Sequence, residues 1–149
     1  MKTEPDVFSI DDLKKNKTTL WEGVRNYQAR NSMQSMSIGD AVLFYHSSSD
    51  PSGVAGLAVV SRAAVPDPTQ FDKKSEYFDA KALKEKPRWF CVEVKFVTKF
   101  PQIVTLAQIK ADKKLSKMVV VQQGSRLSVQ PVSEEDFNYI HQLGITCKS

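Results

Sequence analysis

The sequence has few of the residues that most often carry catalysis or bind metals. Its 149 residues include two cysteines and two histidines. It contains no Cys-x-x-Cys, His-Glu-x-x-His or Gly-x-Ser-x-Gly motif. Its six glycines are dispersed, so it has no glycine-rich loop that would hold a phosphate. We therefore expect a protein that is not an enzyme and that uses neither a metal nor another cofactor.

Long apolar runs are also missing. The longest is Val54–Val60, far shorter than the ~18 residues that a membrane span needs. The N-terminal residues Met-Lys-Thr-Glu-Pro-Asp lack the apolar region of a signal peptide. Cys91 and Cys147 are too few for a disulfide framework and favour a reducing compartment. We expect no membrane association.

The composition that remains is typical of one globular domain. Hydrophobic residues make up 41% of the chain and charged residues 26%, and a length of 149 residues predicts a single domain over 1–149. The net charge is +4 and the pI is near 9.0. Because the basic residues are scattered, this mild excess permits an anionic partner without requiring one.

The hydrophobic pattern predicts strands mixed with short helices. Ser9 and Asp12 form a capping-box pattern that starts the first helix. Further helices are predicted at Tyr27–Met36, at Thr105–Lys110, and from Ser133 to a stop at Gly144. Strands are predicted at Asp40–His46, Gly53–Val65, Arg88–Phe100 and Arg126–Val132.

The strand at Asp40–His46 is apolar on both faces, which predicts a barrel or a sheet covered on both sides. Gly56, inside the next strand, predicts a bulge or a close backbone approach. Because no βαβ spacing is present, we predict the α+β class, with a small, mainly antiparallel β-barrel and short helices packed outside it.

One segment, Trp21–Asn31, combines aromatic, amide and guanidinium groups around Gly23. Tryptophan offers a stacking face, asparagine an amide that donates and accepts, and arginine a fork for phosphate. Such groups are suited to reading a single extruded base. The alternative is that Trp21 anchors the core while Arg25 and Arg30 are surface charges. The composition of the segment leaves both interpretations open.

Five segments in order closely resemble the EVE-domain family. They are Thr3–Ser9, Trp21–Asn31, Gly39–Ser47, Pro66–Asp72 and Arg126–Val132. The resemblance covers nearly the whole chain. It implies a PUA-like fold, a small β-barrel with helices outside it, related to the YTH and ASCH domains. It also implies a non-enzymatic reader of modified nucleobases in DNA or RNA, with an aromatic-lined pocket.

The resemblance also implies a set of site residues. Lys2, Thr3 and Glu4 would line the base pocket, and Trp21 would be its stacking wall. The rest of the rim would come from Gly23, Val24, Arg25 and Asn26. The end of the next strand, Tyr45, His46 and Ser47, would face the same opening, and Arg126 and Ser128 complete the set. Phosphate contacts are expected from Arg25, Arg30 and Lys2.

One departure from the family pattern concerns the start of the chain. Family members commonly carry a few aromatic and apolar residues before the Lys-Ser/Thr-Glu-Pro turn, whereas here Met1 directly precedes Lys2. We therefore expect either that the first strand is short or that the sequence starts late.

Two other functions remain open from the sequence. One is a general RNA-binding PUA-like protein, without specificity for a modification. The other is an enzyme acting on nucleic acid, as some ASCH-type relatives are, for which Glu4, Glu22 and His46 would be the candidates. We expect a monomer whose partner is a nucleic acid carrying a modified base. A bacterial protein would be cytoplasmic with access to the nucleoid, and a eukaryotic one nuclear.

Overall fold

The structure is a computed structural model that describes residues 1–121 and 127–146. The strands are β1 (Lys2–Thr3), β2 (Thr18–Leu20), β3 (Ala41–His46), β4 (Gly53–Pro66) and β5 (Phe90–Thr105). The α-helices are α1 (Ile10–Asn16), α2 (Tyr27–Gln34), α3 (Leu106–Ala111) and α4 (Glu134–Thr146). Short 3₁₀ turns lie at Pro68–Phe71, Lys113–Leu115 and Val119–Val121.

The five strands form one sheet in the order β1-β3-β4-β5-β2. β1 runs parallel to β3, and the other neighbouring pairs are antiparallel. The predicted mixture of a mainly antiparallel sheet and short helices is confirmed. The word barrel applies only loosely, because within the described residues no hydrogen-bonded pairing joins the edge strands β1 and β2 and the sheet is open.

Both faces of the sheet are covered, as the pattern of β3 predicts. Successive side chains of a strand point to opposite faces. Val42 and Phe44 therefore enter a core cluster that also contains residues of α1 and α2. Leu43 and Tyr45 enter a second cluster, on the other face, that contains Ile140 of α4.

Two glycines mark close approaches between elements. A Cβ on Gly56 would lie 2.3 Å from the carbonyl oxygen of Thr98, which confirms the predicted close approach in β4. Gly144 does not end the last helix, since α4 continues to Thr146. A Cβ on Gly144 would lie 2.4 Å from the ring of Phe100, so this glycine allows α4 to pack closely on β5.

Local sequence patterns predicted the start of α1 correctly but not the last predicted strand. The capping box of Ser9 and Asp12 is present and starts α1. The strand predicted at Arg126–Val132 is wrong over residues 127–132, which are irregular, while Arg126 lies outside the described residues. Val129 is fully buried and Leu127 packs against the same cluster, so the alternation reflects burial of an irregular segment.

None of the helices in the described ranges is long and apolar enough to cross a membrane.

Candidate functional site

An open cleft of about 560 Å³ lies between the two edge strands of the sheet. One wall begins in β1 and continues into the turn after it, and the other begins in β2. The sheet therefore curves so that its edges face each other across the cleft without pairing. The lining residues are Lys2, Thr3, Glu4, Val7, Phe8, Thr19, Leu20, Trp21, Glu22, Gly23, Val24, Tyr77 and Ser128.

Trp21 lines the cleft and is also a core residue. It follows β2, and its backbone N–H donates to the carbonyl of Val92. Its indole meets the ring of Phe44 edge to face, with centroids 5.6 Å apart, and only 8% of the residue is exposed. Most of the surface of Trp21 therefore lies in the core, as the core interpretation predicts, and a small part lines the cleft.

Tyr77 also lines the cleft and is more exposed to solvent than Trp21. It is 39% exposed and belongs to the loop between β4 and β5. Gly23 adopts a φ of +83°, and a Cβ there would lie 2.7 Å from the Tyr77 ring. Glycine is thus required both for the left-handed turn and for the approach of the ring. This contact places Tyr77 beside the turn that follows Trp21.

The buried carboxylate of Asp67 holds this turn in place. Its Oδ2 accepts the backbone N–H of Gly23 at 2.8 Å and Nη1 of Arg25 at 3.1 Å. Its Oδ1 accepts the backbone N–H of Thr69 at 2.8 Å and its hydroxyl at 2.5 Å. Burial by itself would raise the pKa of Asp67, but the hydrogen bonds from Thr69, Gly23 and Arg25 hold that pKa below its usual value.

Gln70, also fully buried, fixes the loop that carries Asp67. Its amide nitrogen donates to the carbonyls of Asp67 and Trp89, both at 2.8 Å. Its amide oxygen accepts the backbone N–H groups of Arg88 and Trp89, both at 3.0 Å. The wall of the cleft is thereby connected to the start of β5.

Ionisable side chains of both signs border the cleft. Burial lowers the pKa of Lys2. Burial raises the pKa of Glu22, and the nearby charge of Asp67 raises it further. Glu4 lies on the wall opposite Glu22. Carboxylates on both walls can accept hydrogen bonds from a bound polar molecule.

Two of the predicted rim residues have structural roles instead. The guanidinium of Arg25 donates to Asp67, to the hydroxyl of Thr69 at 3.0 Å and to the carbonyl of Tyr77 at 2.7 Å. Its remaining donors bond Val24 and again Tyr77, so this guanidinium is already engaged by the protein. The side chain of Asn26 caps α2 by accepting the N–H of Ala29 at 3.0 Å. Neither residue lines the cleft.

The prediction that Tyr45, His46 and Ser47 face the cleft is wrong in geometry. Neighbouring residues of a strand point to opposite faces, so Tyr45 and His46 cannot share one opening. Tyr45 lines a separate cavity of about 30 Å³, with Lys2 and Ser128 on its border. His46 lies beneath α1. Ser47 donates its N–H to the carbonyl of Thr3 and does not line the cleft.

The other predicted residues divide between the cleft and its surroundings. Arg30 does not line the cleft, and Arg126 lies outside the described residues. Seven predicted residues do come together at the cleft, namely Lys2, Thr3, Glu4, Trp21, Gly23, Val24 and Ser128. The sequence interpretation assigned no role to Asp67 or Tyr77. Asp67 belongs to the Pro66–Asp72 motif, which supported the family resemblance but indicated no function for Asp67.

His46 makes a hydrogen bond that only a neutral imidazole can accept. Its Nε2 accepts the backbone N–H of Ile10 at 3.1 Å. Burial lowers the pKa of His46, the charge of Asp11 partly offsets this shift, and that of Lys99 adds to it. The folded protein thus favours the neutral form more strongly than the unfolded chain does.

This bond predicts a loss of stability in mild acid. The contribution of neutral His46 is fully present above its unfolded pKa, about 6.5, and is lost as the pH falls below that value. We expect the melting temperature to fall between about pH 7.5 and pH 5. His46→Gln, whose amide oxygen can accept the same N–H, should show a shallower fall. Parallel pH profiles for the two proteins, measured by thermal melting, would contradict this role.

Comparison with known proteins identifies the family to which this chain belongs. A family model described as the EVE domain matches residues 1–143. The chain is 41% identical to thymocyte nuclear protein 1 of Gallus gallus, over 91% of this chain and 60% of that protein. It is 37% identical to the Homo sapiens protein of the same name, over 96% of this chain and 72% of that protein. The chain thus spans less than two thirds of the Gallus gallus protein.

Solved structures resemble the chain over nearly its full length. A crystal structure of a Pseudomonas putida protein has a TM-score of 0.94 and 47% identity, covering 97% of both chains. Human THYN1 protein, solved in complex with 5-methylcytosine containing DNA, has a TM-score of 0.91 and 37% identity, covering 97% of this chain and 95% of that one. With a family match over residues 1–143, the chain belongs to the EVE-domain family.

Proposed function

We propose that the protein is a non-enzymatic module that binds a modified nucleobase of DNA in the cleft between β1 and β2. The observation that carries the proposal is the combination of a partly exposed aromatic ring, Tyr77, with carboxylates on both walls, Glu4 and Glu22. An aromatic face stacks on any base, and polar groups then read its edge.

The lining suggests which base to test first. Carboxylates accept hydrogen bonds from the exocyclic amino group of cytosine. The apolar side chains of Val7, Phe8 and Leu20 border the same cleft and can contact a methyl group. The structure of human THYN1 in complex with 5-methylcytosine containing DNA supports 5-methylcytosine as this base. DNA therefore comes before RNA in the test.

The arrangement of the ionisable groups supports binding without catalysis. An enzyme of this kind would need a poised acid or base close to the reacting atom. His46, the histidine among the sequence candidates, is not part of the cleft lining, and its Nε2 is engaged by Ile10. Of the three candidates for an acid or base, Glu4 and Glu22 line the cleft and His46 does not.

Tyr77→Leu tests the proposal directly. Stacking of a base on an aromatic side chain is worth roughly 1–3 kcal/mol, so affinity for a DNA oligonucleotide with one 5-methylcytosine should fall roughly five- to hundredfold. Because Tyr77 is partly exposed, the melting temperature should change little. Fluorescence anisotropy titrations with the methylated oligonucleotide and its unmethylated twin measure both affinity and discrimination.

Tyr139→Leu is the matched control, because Tyr139 lies on α4 against the second core cluster and is not part of the cleft lining. It should leave affinity unchanged. Equal affinity of the unaltered protein for methylated and unmethylated DNA would contradict modified-base reading. Tighter binding to the matching RNA would favour a general RNA-binding protein instead. Turnover of a modified oligonucleotide that disappears in Glu4→Ala would favour an enzyme.

A further inference from the structure

Beside the cleft lies a second aromatic surface that cleft binding does not use. We call it the arginine–aromatic cluster, and it consists of Tyr27, Arg30, Arg88 and Trp89. The ring of Tyr27 stacks on that of Trp89, with centroids 4.9 Å apart and planes 20° apart. Trp89 is buried, whereas Tyr27 is 48% exposed. The cluster therefore presents a supported aromatic ring to solvent.

The two arginines lie at the sides of this stack. Cζ of Arg30 is 4.7 Å from the centre of the Tyr27 ring and 6.0 Å from that of Trp89. A group over the outer face of Tyr27 would be much farther from Trp89, because the tyrosine ring would lie between them. Arg88 donates to the hydroxyl of Tyr27, at the edge of the ring. The face of Tyr27 that points away from Trp89 is thus left open by both arginines.

Arg30 carries a charge that has no carboxylate partner among the ion pairs of the described residues. Its donors bond the carbonyl of Arg88 and the amide oxygen of Asn31, which are neutral acceptors. Arg88 shares its charge with Asp79, at 3.4 Å. The cluster therefore offers a positive group beside the exposed ring, which is the combination that binds a nucleotide through its base face and its phosphate.

The cluster is continuous with the cleft. Cζ of Arg25 lies 5.5 Å from the ring centre of Tyr77, which lines the cleft, and 5.2 Å from that of Trp89, which supports Tyr27. The exposed rings of Tyr77 and Tyr27 are therefore linked through Arg25 and Trp89 by short contacts. A strand of nucleic acid that follows this path from the cleft would bring a flanking nucleotide to the cluster.

We propose that the outer face of Tyr27 stacks on a nucleotide flanking the modified base, and that Arg30 and Arg88 contact the phosphate beside it. This inference rests on the proposed function of the cleft. Stacking and phosphate contact are largely indifferent to sequence, so the cluster adds affinity while the cleft provides discrimination.

The test compares ligands with and without flanking nucleotides. The first ligand is the nucleoside 5-methyl-2′-deoxycytidine, and the second is a single-stranded DNA oligonucleotide with one central 5-methylcytosine; a third is its unmodified twin. Tyr27→Ala should lower the affinity for both oligonucleotides equally, by roughly five- to hundredfold, and should leave the affinity for the nucleoside unchanged. Tyr27→Phe, which keeps the ring but loses the hydroxyl that Arg88 contacts, should keep most of the affinity that Tyr27→Ala loses.

The phosphate contact has its own readout. Arg30→Gln should lower the slope of log affinity against log salt concentration by about 0.7 for single-stranded DNA, whereas Arg30→Lys should keep the slope because it keeps the charge. Melting curves of all variants identify the folded fraction to which each affinity refers. Tyr77→Leu serves as the comparison variant, because it should lower the affinity for the nucleoside as well as for the oligonucleotides.

The outcomes separate this inference from the proposed function. If the unaltered protein discriminates the methylated oligonucleotide while Tyr27→Ala and Arg30→Gln bind it as tightly, the flanking site is wrong and the cleft proposal stands. If Tyr27→Ala lowers the affinity for the nucleoside by the same factor as the affinity for the oligonucleotides, the flanking site is again wrong. If discrimination is absent but Tyr27→Ala still weakens oligonucleotides alone, the flanking site stands and modified-base reading fails. Failure to bind any oligonucleotide overturns both.

Discussion

Asp67→Asn is expected to lower the free energy of unfolding by about 3–5 kcal/mol at neutral pH, the usual cost of breaking a buried charge pair. Both oxygens of this carboxylate accept two hydrogen bonds each, from Gly23 and Arg25 on one side and from Thr69 on the other. An asparagine amide nitrogen cannot accept, so one pair of donors loses its partner. A loss of this size is a large share of the ~5–15 kcal/mol that stabilises a typical domain.

Urea denaturation measures this loss, and pH provides a second readout. Because the pKa of Asp67 is lowered in the folded protein, its contribution is present above the unfolded value, about 3.9, and is lost as the pH falls through the folded value. The difference between the unaltered protein and Asp67→Asn should therefore shrink below about pH 4. A difference that stays constant in acid would contradict the role of the charge.

Asp11→Asn is the matched control. Asp11 also forms an ion pair, with Lys99 at 2.9 Å, but both side chains are largely exposed. Exposed pairs contribute about 0–1 kcal/mol, so this variant should unfold almost like the unaltered protein. Similar losses in the two variants would mean that burial and the bond to Gly23 are not what makes Asp67 important. If Asp67 positions the turn at Gly23, its variant should also bind the methylated oligonucleotide more weakly per folded molecule.

Local patterns predicted much of the fold. The cap of α1 depends on Ser9 and Asp12, which are three residues apart, so the sequence alone can indicate it. The two apolar faces of β3 follow from the alternation of its own side chains. The closure of the sheet depends instead on whether β1 meets β2. These are short strands at opposite edges of the sheet, and no local pattern decides whether they pair.

The site was predicted less well, because its supports are distant in the sequence. Gly23 is held by a residue 44 positions away, and Arg25 by a carbonyl 52 positions away. Composition cannot distinguish an arginine that is free to bind phosphate from one that is engaged by a buried carboxylate. Arg25 and Arg30 therefore looked equivalent in the sequence. The structure separates them, since Arg25 pairs with Asp67, whereas the hydrogen-bond partners of Arg30 within residues 1–121 and 127–146 are neutral.

Trp21→Ala is expected to cost about 3–5 kcal/mol of stability, the usual cost of removing a large aromatic side chain from a core. Trp21 is only 8% exposed, and its indole contacts Phe44 edge to face within the cluster that joins α1 and α2 to the sheet. Trp21→Phe should cost less because a ring remains against Phe44. Thermal and urea unfolding of the two variants provide the measurement.

The binding of the same variants separates a core role from a stacking role. Since so little of Trp21 faces the cleft, the folded fraction of Trp21→Phe should bind the methylated oligonucleotide nearly as tightly as the unaltered protein. Tyr77→Leu should show the reverse pattern, with weaker binding and little change in melting, because its ring is the more exposed one. If Trp21→Phe instead melts normally and loses affinity as Tyr77→Leu does, the indole is the stacking wall of the cleft. In that case its contact with Phe44 serves to orient the indole toward the base.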